Sequence, residues 1–173
     1  ARHRTLRAEV DAAIADLQYD GLDPADYHVA TLQSFRSDLR GNKSLVPADQ
    51  ADLELVAAVR DAVSPAVGLR VDANGAWDID TAEVMIGRLA RFDLELVEQP
   101  VAALDDLARL RRRVDVPLAA DECVRSVGDA RCLATLQAAD VVVLKVQPLG
   151  GVRTALQVAE TAGVPALVTS MRE

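Results

Sequence analysis

Short apolar runs alternate with longer amphipathic stretches along most of this chain. From about residue 47 onward, runs rich in Val, Leu and Ala have the continuous apolar character of strands that are buried on both faces. Between these runs, apolar residues recur at helical spacing. We therefore predict helices over residues 49–63, 80–91, 104–113, 127–137 and 151–162, and strands at GLRVDAN, LELVEQP, VPLAADE, DVVVLKV and VPALVTS. Asp80 and Glu83 form a capping-box pattern for the second helix, and Gly163 is placed to end the last one.

This alternation predicts an α/β domain with parallel strands, built of consecutive βα units as a partial (β/α) TIM-type barrel. At 173 residues the chain is one domain or a piece of a larger one. Half of its residues are apolar and only 3% are aromatic, so we expect an aliphatic core.

The first 46 residues do not show this alternation of apolar runs and amphipathic stretches. A helix is predicted over residues 5–18 from an apolar stripe made by Leu6, Val10, Ile14 and Leu17. One weak strand is predicted beyond it, over residues 27–32. We treat residues 1–46 as an unassigned N-terminal segment, and we assign residues 47–173 to the barrel domain, which we expect to be incomplete at both ends.

Charge and composition narrow the class of protein. The net charge of −8 argues against a nucleic-acid partner, which needs a basic surface. No apolar run approaches the roughly 20 residues of a membrane span, and no signal peptide is visible. Cys123 and Cys132 are too few for a disulfide framework and lack metal-type spacing, so we expect reduced thiols. A cytoplasmic enzyme is the expectation that remains.

Residues capable of chemistry follow four of the predicted strands. Asp72, Glu98, Asp121 and Lys145 are separated by 26, 23 and 24 residues, about the length of one βα unit. In a parallel barrel, equivalent strand ends point to one mouth. Three carboxylates there would form a hard oxygen site suited to Mg²⁺. The alternative is that each acid is an ordinary loop residue or a helix N-cap.

Lys145 ends a strand that should be buried on both faces. Beside a cation and desolvating walls, we expect the pKa of its ammonium group to fall, so that Lys145 can serve as a base or as a cationic stabiliser. The alternative is a structural ion pair with Asp121 or Glu122. On a strand, those two neighbouring acids would point to opposite sides.

Several other residues have open interpretations. Asn74 is either a neutral ligand or hydrogen-bond donor at the site, or a turn residue before Gly75. Gly150 and Gly151 either admit an anion at a helix N-terminus or form a tight turn. We expect Trp77 to pack near the mouth. His3 and His28 lie outside the periodic region and are expected at the surface or in packing.

The motifs VDANGAW, VEQP, AADE and VLKVQPLGG resemble consecutive strand-end motifs of the enolase superfamily, in its muconate-lactonising branch. The residues of these motifs are most similar to those of the o-succinylbenzoate synthase family of menaquinone biosynthesis, in its actinobacterial form. The resemblance covers about residues 50–173. It implies that Asp72, Glu98 and Asp121 bind Mg²⁺, with Asp121 chosen over Glu122, and that Lys145 faces a small carboxylate substrate.

The implied reaction is loss of water from a cyclohexadiene carboxylate. A base removes the proton next to the carboxylate, and the metal stabilises the resulting enediolate. The family also carries a Lys-x-Lys pair on its second barrel strand, before the helix that is predicted here over residues 49–63, and the second lysine of the pair is the expected base. This chain has no such pair, and its only other lysine is Lys43.

Two further departures leave alternatives open. Residues 1–46 do not resemble the family's capping domain, and the final barrel strand is missing. The chain is therefore expected to be a fragment or impaired copy, or to be completed by another chain or a second copy. A racemase of N-acylamino acids or dipeptides, a cycloisomerase, or a non-catalytic barrel remnant would fit the same motifs.

Overall fold

The computed structural model describes residues 29–32, 48–63 and 65–169. The predicted helix over residues 5–18, together with His3, His28 and Lys43, lies outside the described residues. In the described part, the elements are β1 (Val29–Leu32), α1 (Ala48–Ala62), β2 (Gly68–Asp72), α2 (Ile79–Leu89), a 3₁₀ turn (Ala90–Phe92), β3 (Leu94–Glu98), α3 (Leu104–Arg111), β4 (Leu118–Ala120), α4 (Val127–Leu136), β5 (Val141–Lys145), α5 (Val152–Ala162) and β6 (Ala166–Thr169).

The strands form a single parallel sheet in the order β1-β2-β3-β4-β5-β6. Each strand pairs in parallel with the next one along the chain, which is the arrangement of consecutive βα units. The predicted partial (β/α) barrel is thus confirmed. Strand β1 pairs with β2, so a strand from the N-terminal segment belongs to the sheet; the division of the chain at residue 47 stays a prediction.

The two faces of the sheet carry separate apolar clusters. The larger cluster lies between the sheet and the helices, and includes Leu69, Val71 and Val97. The smaller one lies on the opposite face and consists of Leu96, Ala119 and Val143, with Val141 and Leu167 packed against it. Alternate residues of a strand point to opposite faces, which explains the division. Aliphatic residues fill both clusters, as the composition predicts.

The start of α2 differs from the prediction. Asp78, and not Asp80, is the N-cap, and its carboxylate accepts a hydrogen bond from the Thr81 N–H. Asp80 lies within the first turn of the helix. The other predicted helix bounds agree with the structure to within two residues, and Gly163 ends α5 in the left-handed conformation with φ of 66°.

Two arginines hold the loops that lead into the strands. Arg60 on α1 donates hydrogen bonds to the carbonyl oxygens of Val67, Phe92 and Asp93, just before β2 and β3. Arg111 on α3 donates through Nε and Nη2 to one carboxylate oxygen of Asp140, just before β5. The other oxygen accepts from the Leu118 N–H at the start of β4.

Replacing Asp140 with asparagine should lower the free energy of unfolding at neutral pH by about 1–2 kcal/mol, a value reduced because the pair is partly exposed. Partial burial of Asp140 opposes ionisation, but the hydrogen bonds from Arg111 and Leu118 outweigh it and lower the pKa of the carboxyl. A lowered folded pKa means that the stabilisation is present above the unfolded pKa and is lost as the pH falls through the folded one. Urea unfolding at several pH values measures this, with exposed Asp115→Asn as the control.

No helix in residues 48–63 and 65–169 is long and apolar enough to cross a membrane. Cys123 and Cys132 are both free thiols, as predicted.

Candidate active site

The four residues predicted from the spacing lie at the carboxyl ends of adjacent strands. Asp72, Glu98 and Lys145 are the last residues of β2, β3 and β5, and Asp121 directly follows β4. Asp72 is paired in register with Glu98 across the two neighbouring strands. The near-equal sequence intervals therefore correspond to similar positions at the carboxyl edge of the sheet.

Three of these side chains also share a face of the sheet. Glu98, Asp121 and Lys145 each lie two residues after a member of the smaller apolar cluster: Leu96, Ala119 and Val143. Residues two apart on a strand point the same way, which places Glu98 and Lys145 on this face. Asp121 follows the end of β4, and its ion pair with Lys145 brings it to the same side. The polar groups thus lie above an aliphatic floor, on the side away from the helices.

The three carboxylates are buried. Asp72, Glu98 and Asp121 are exposed by only 4%, 7% and 5%. Burial, which the charges of Glu122 and Asp121 reinforce, raises the pKa of Asp72 to about 6. Burial and the charges of Asp72 and Asp121 raise the pKa of Glu98 to about 8. The carboxylates therefore repel one another and are short of positive charge.

Lys145 supplies part of that charge. Its ammonium group forms an ion pair with Asp121 Oδ2, and it lies 3.9 Å from Glu122 Oε1. The expectation that Asp121 and Glu122 point to opposite sides is wrong, because both residues lie beyond the end of β4 and are not bound by strand alternation. The alternative prediction of an ion pair is the arrangement found.

The pKa of Lys145 is predicted to fall beside a cation, whereas the residues of this site by themselves raise it. Burial does act to lower the pKa of the ammonium group. The hydrogen bond to Asp121 and the negative charges of Asp121, Glu122 and Glu98 outweigh this, and the pKa lies above its usual value. In this arrangement Lys145 is a cation at neutral pH.

The chemistry of the donor set fits a hard divalent cation. Buried carboxylates need a cation, a proton or a hydrogen-bond partner, and Lys145 neutralises only one of them. Their placement is not that of a formed metal cage: among the residues described, no three His, Cys, Asp or Glu side chains are grouped so that they could hold a metal ion. Carboxylate oxygens are nevertheless the ligands that Mg²⁺ takes in proteins.

The loop after β2 shapes the position of Asp72. Asn74 has φ of 49°, and its backbone N–H donates to Asp72 Oδ1 at 2.8 Å. Asn74 is thus a turn residue. Its backbone N–H contacts Asp72, whereas its side chain is exposed. Gly75 follows with φ of 66°, and a Cβ there would lie 3.2 Å from Ala102 Cα in the loop after β3. The Trp77 N–H donates to the carbonyl of Pro100 in that same loop, and the indole packs against the core.

The glycine pair before α5 forms a tight turn. Gly150 and Gly151 have φ of 81° and 116°, values that residues with a side chain rarely adopt. The Gly151 N–H donates to the carbonyl of Val146, which closes the turn. Of the two interpretations, the turn is the one that the structure supports.

Gln99 is a residue that sequence reasoning overlooked. It follows Glu98, is exposed by only 1%, and makes side-chain hydrogen bonds to the segment after β4 and to its own loop. The signal was a polar residue in VEQP, between a buried strand and a proline. Such a residue must find partners inside the protein.

A protein-family model described as "Enolase C-terminal domain-like" matches residues 27–171. The match includes strand β1, which lies before the region in which the sequence motifs occur.

Two curated relatives share the name o-succinylbenzoate synthase. The protein from Thermobifida fusca is 57% identical over 122 residues, which are 70% of this chain and 38% of that protein. The protein from Mycobacterium bovis is 49% identical over 120 residues, which are 69% of this chain and 36% of the relative. The matched region is thus little more than a third of the length of these relatives.

Among solved structures, a dipeptide epimerase from Enterococcus faecalis, in complex with Mg and the dipeptide L-Leu-L-Tyr, superposes with a TM-score of 0.77. It is 27% identical, and the superposition covers 96% of this chain and 44% of that one.

Proposed function

We propose that this chain carries the metal-binding part of a lyase of the o-succinylbenzoate synthase type. The premise is that the chain belongs to the enolase superfamily, in the family described as enolase C-terminal domain-like. The observation that carries the proposal is the convergence of three buried carboxylates and one lysine at the ends of adjacent parallel strands. The identity to proteins named o-succinylbenzoate synthase supports this reaction over others on the same fold.

Asp72, Glu98 and Asp121 are the proposed ligands of Mg²⁺. Their burial and mutual repulsion favour a divalent cation, because a cation at this point relieves both. When bound, the ion would supply positive charge that stabilises negative charge developing on the carboxylate of the substrate. The aliphatic residues below would lower the local dielectric constant and so strengthen that electrostatic effect.

Lys145 is the proposed catalytic residue. It lies on the same face as Glu98 and Asp121, and its raised pKa keeps it protonated at neutral pH. In that form it would stabilise negative charge on a carboxylate substrate. Strand β1 (VATL) contains no lysine, so the Lys-x-Lys pair that supplies the expected base in this family is not found there.

A second candidate function is epimerisation or racemisation of an acylated amino acid or dipeptide. The observation that favours it is the similarity to the dipeptide epimerase with bound Mg and dipeptide. Both reactions create negative charge next to a carboxylate, so the same three acids and lysine would stabilise that charge in either one.

Calorimetric titration with Mg²⁺ tests the proposed metal site. We expect wild type to bind one ion and Asp72→Asn to bind it at least about tenfold more weakly, because a charged ligand is lost. Asp115→Asn removes the same charge from an exposed loop and should bind as wild type does. Absence of metal-dependent heat in wild type would refute the site and favour a non-catalytic remnant.

Activity assays separate the two reactions. Dehydration of the o-succinylbenzoate precursor should exceed racemisation of N-succinylamino acids if the first proposal is correct. Racemisation without dehydration would establish the second candidate in its place.

A further inference from the structure

We propose that Gln99 is a positioning residue that holds the three carboxylate-bearing strand ends in register, an inference that rests on the proposed metal site. Gln99 is not itself a proposed ligand of the metal or the substrate. It acts through the backbone of Asp121 and through the loops on either side.

The side chain of Gln99 joins β3 to the segment after β4. Its Oε1 accepts hydrogen bonds from the backbone N–H groups of Asp121 at 2.7 Å and Cys123 at 3.3 Å. Its Nε2 donates to the carbonyl of Val101 at 2.7 Å. The amide group therefore uses its donor and its acceptor at once.

The backbone of Gln99 extends the connection to β2. Its N–H donates to the carbonyl of Ala119 in β4 at 2.8 Å, and its carbonyl accepts from the Gly75 N–H at 2.6 Å. Through these bonds one residue contacts the segments that carry Asp72, Glu98 and Asp121.

The conformation of Gln99 indicates that this arrangement is enforced. Its φ of 38° lies in the left-handed region, which a side chain of this kind seldom occupies. Such strain persists where surrounding contacts determine the conformation, and it is typical of functional sites. Here the five hydrogen bonds of Gln99 are those contacts.

The chemical nature of the side chain also suits the place. A glutamine provides a donor and an acceptor without charge. A glutamate could not donate to Val101, and it would add negative charge beside three buried carboxylates. An apolar residue would leave the Asp121 and Cys123 N–H groups unpaired. The backbone of Asp121 would then shift, and the carboxylate would move with it.

The test compares two variants of the full chain that remove the contacts in different ways. Gln99→Met keeps the size of the side chain and removes its hydrogen bonds. Gln99→Asn keeps an amide that tolerates the left-handed conformation, but it is one carbon too short to reach the same partners. Gln157→Met, on the exposed side of α5, is the matched control.

Mg²⁺ affinity by calorimetry and the metal-free thermal midpoint are measured for each protein, at a temperature where circular dichroism shows it folded. We expect both Gln99 variants to bind Mg²⁺ about 10-fold to 100-fold more weakly than wild type, as is typical when a group that orients ligands is lost. Gln157→Met should bind normally. The electron paramagnetic spectrum of bound Mn²⁺ should also change in the Gln99 variants.

A purely structural role would lower the thermal midpoint but leave the affinity of the folded protein unchanged, and that result would overturn the proposal. Should Gln99→Met fail to fold, Gln99→Asn decides on the same criterion. A wild type that does not bind Mg²⁺ refutes the proposed function instead, so the two failures are distinguishable.

Discussion

Replacing Glu98 with glutamine is expected to abolish measurable Mg²⁺ binding and, at the same time, to stabilise the metal-free protein. The ionised Glu98 carboxylate is buried between Asp72 and Asp121, so its charge is unfavourable in the folded state. Glutamine has nearly the same shape without the charge. Removing a ligand thus removes a source of repulsion, a trade between stability and activity that is common at active sites.

The pH dependence of this stabilisation follows from the raised pKa of about 8 against an ordinary value of 4.5. Below the ordinary value Glu98 is protonated in both folded and unfolded states, and the substitution changes little. As the pH rises towards the folded pKa, the unfolded state is ionised while the folded state must give up its proton, so wild type loses stability. The gain from Glu98→Gln should therefore grow across this window to about 2–4 kcal/mol above it.

Urea unfolding of metal-free protein from about pH 5 to about pH 9 measures the gain. Glu95→Gln is the matched control, because Glu95 lies on the same strand but is partly exposed and pairs with Arg70. That variant should lose a small amount of stability at all these pH values. If Glu98→Gln were less stable than wild type above neutral pH, the negative charge of Glu98 would have to be balanced by interactions other than those described.

Replacing Lys145 with methionine should reduce catalysis about 10²-fold to 10⁴-fold and yet tighten Mg²⁺ binding. The ammonium group forms an ion pair with Asp121 Oδ2, and Asp121 is a proposed metal ligand. Its removal frees that oxygen and leaves the cluster more negative. In the absence of metal the variant should be less stable than wild type, because Asp121 then lies buried without its partner.

Calorimetry, unfolding and activity measured on one preparation test these three effects together. Arg131→Met, which removes a positive charge from the exposed side of α4, controls for net charge and should leave metal affinity nearly unchanged because salt screens distant charges. Equal Mg²⁺ affinity in Lys145→Met and wild type would show that the ion pair does not compete with the metal.

The features that could be predicted from sequence are those that depend on local pattern. Apolar runs followed by Asp72, Glu98 and Lys145 define buried strands with polar ends, and equal spacing follows from repeated βα units. The sheet order then follows because successive βα units add parallel neighbours. These steps need no knowledge of distances between remote residues.

The features that were missed or mistaken depend on such distances. The pKa of Lys145 is decided by how close Asp121 comes to it, and Gln99 bonds to residues 22 and 24 positions further along the chain. The choice between Asp78 and Asp80 as N-cap depends on the preceding loop, which is anchored when the Trp77 N–H reaches Pro100. Two acids two positions apart cannot be ranked without that anchor.

The close approach of Gly75 to Ala102 has a consequence for anyone who wishes to re-engineer this scaffold. Barrel enzymes are often diversified by exchanging one loop at a time, on the assumption that each loop is an independent module. Here the loops after β2 and β3 lie so close that a Cβ on Gly75 would be 3.2 Å from Ala102 Cα. The Gly75 and Trp77 N–H groups also donate hydrogen bonds from the first loop to the second. They should be grafted as one cassette, and a library that varies either loop alone should yield mostly misassembled proteins.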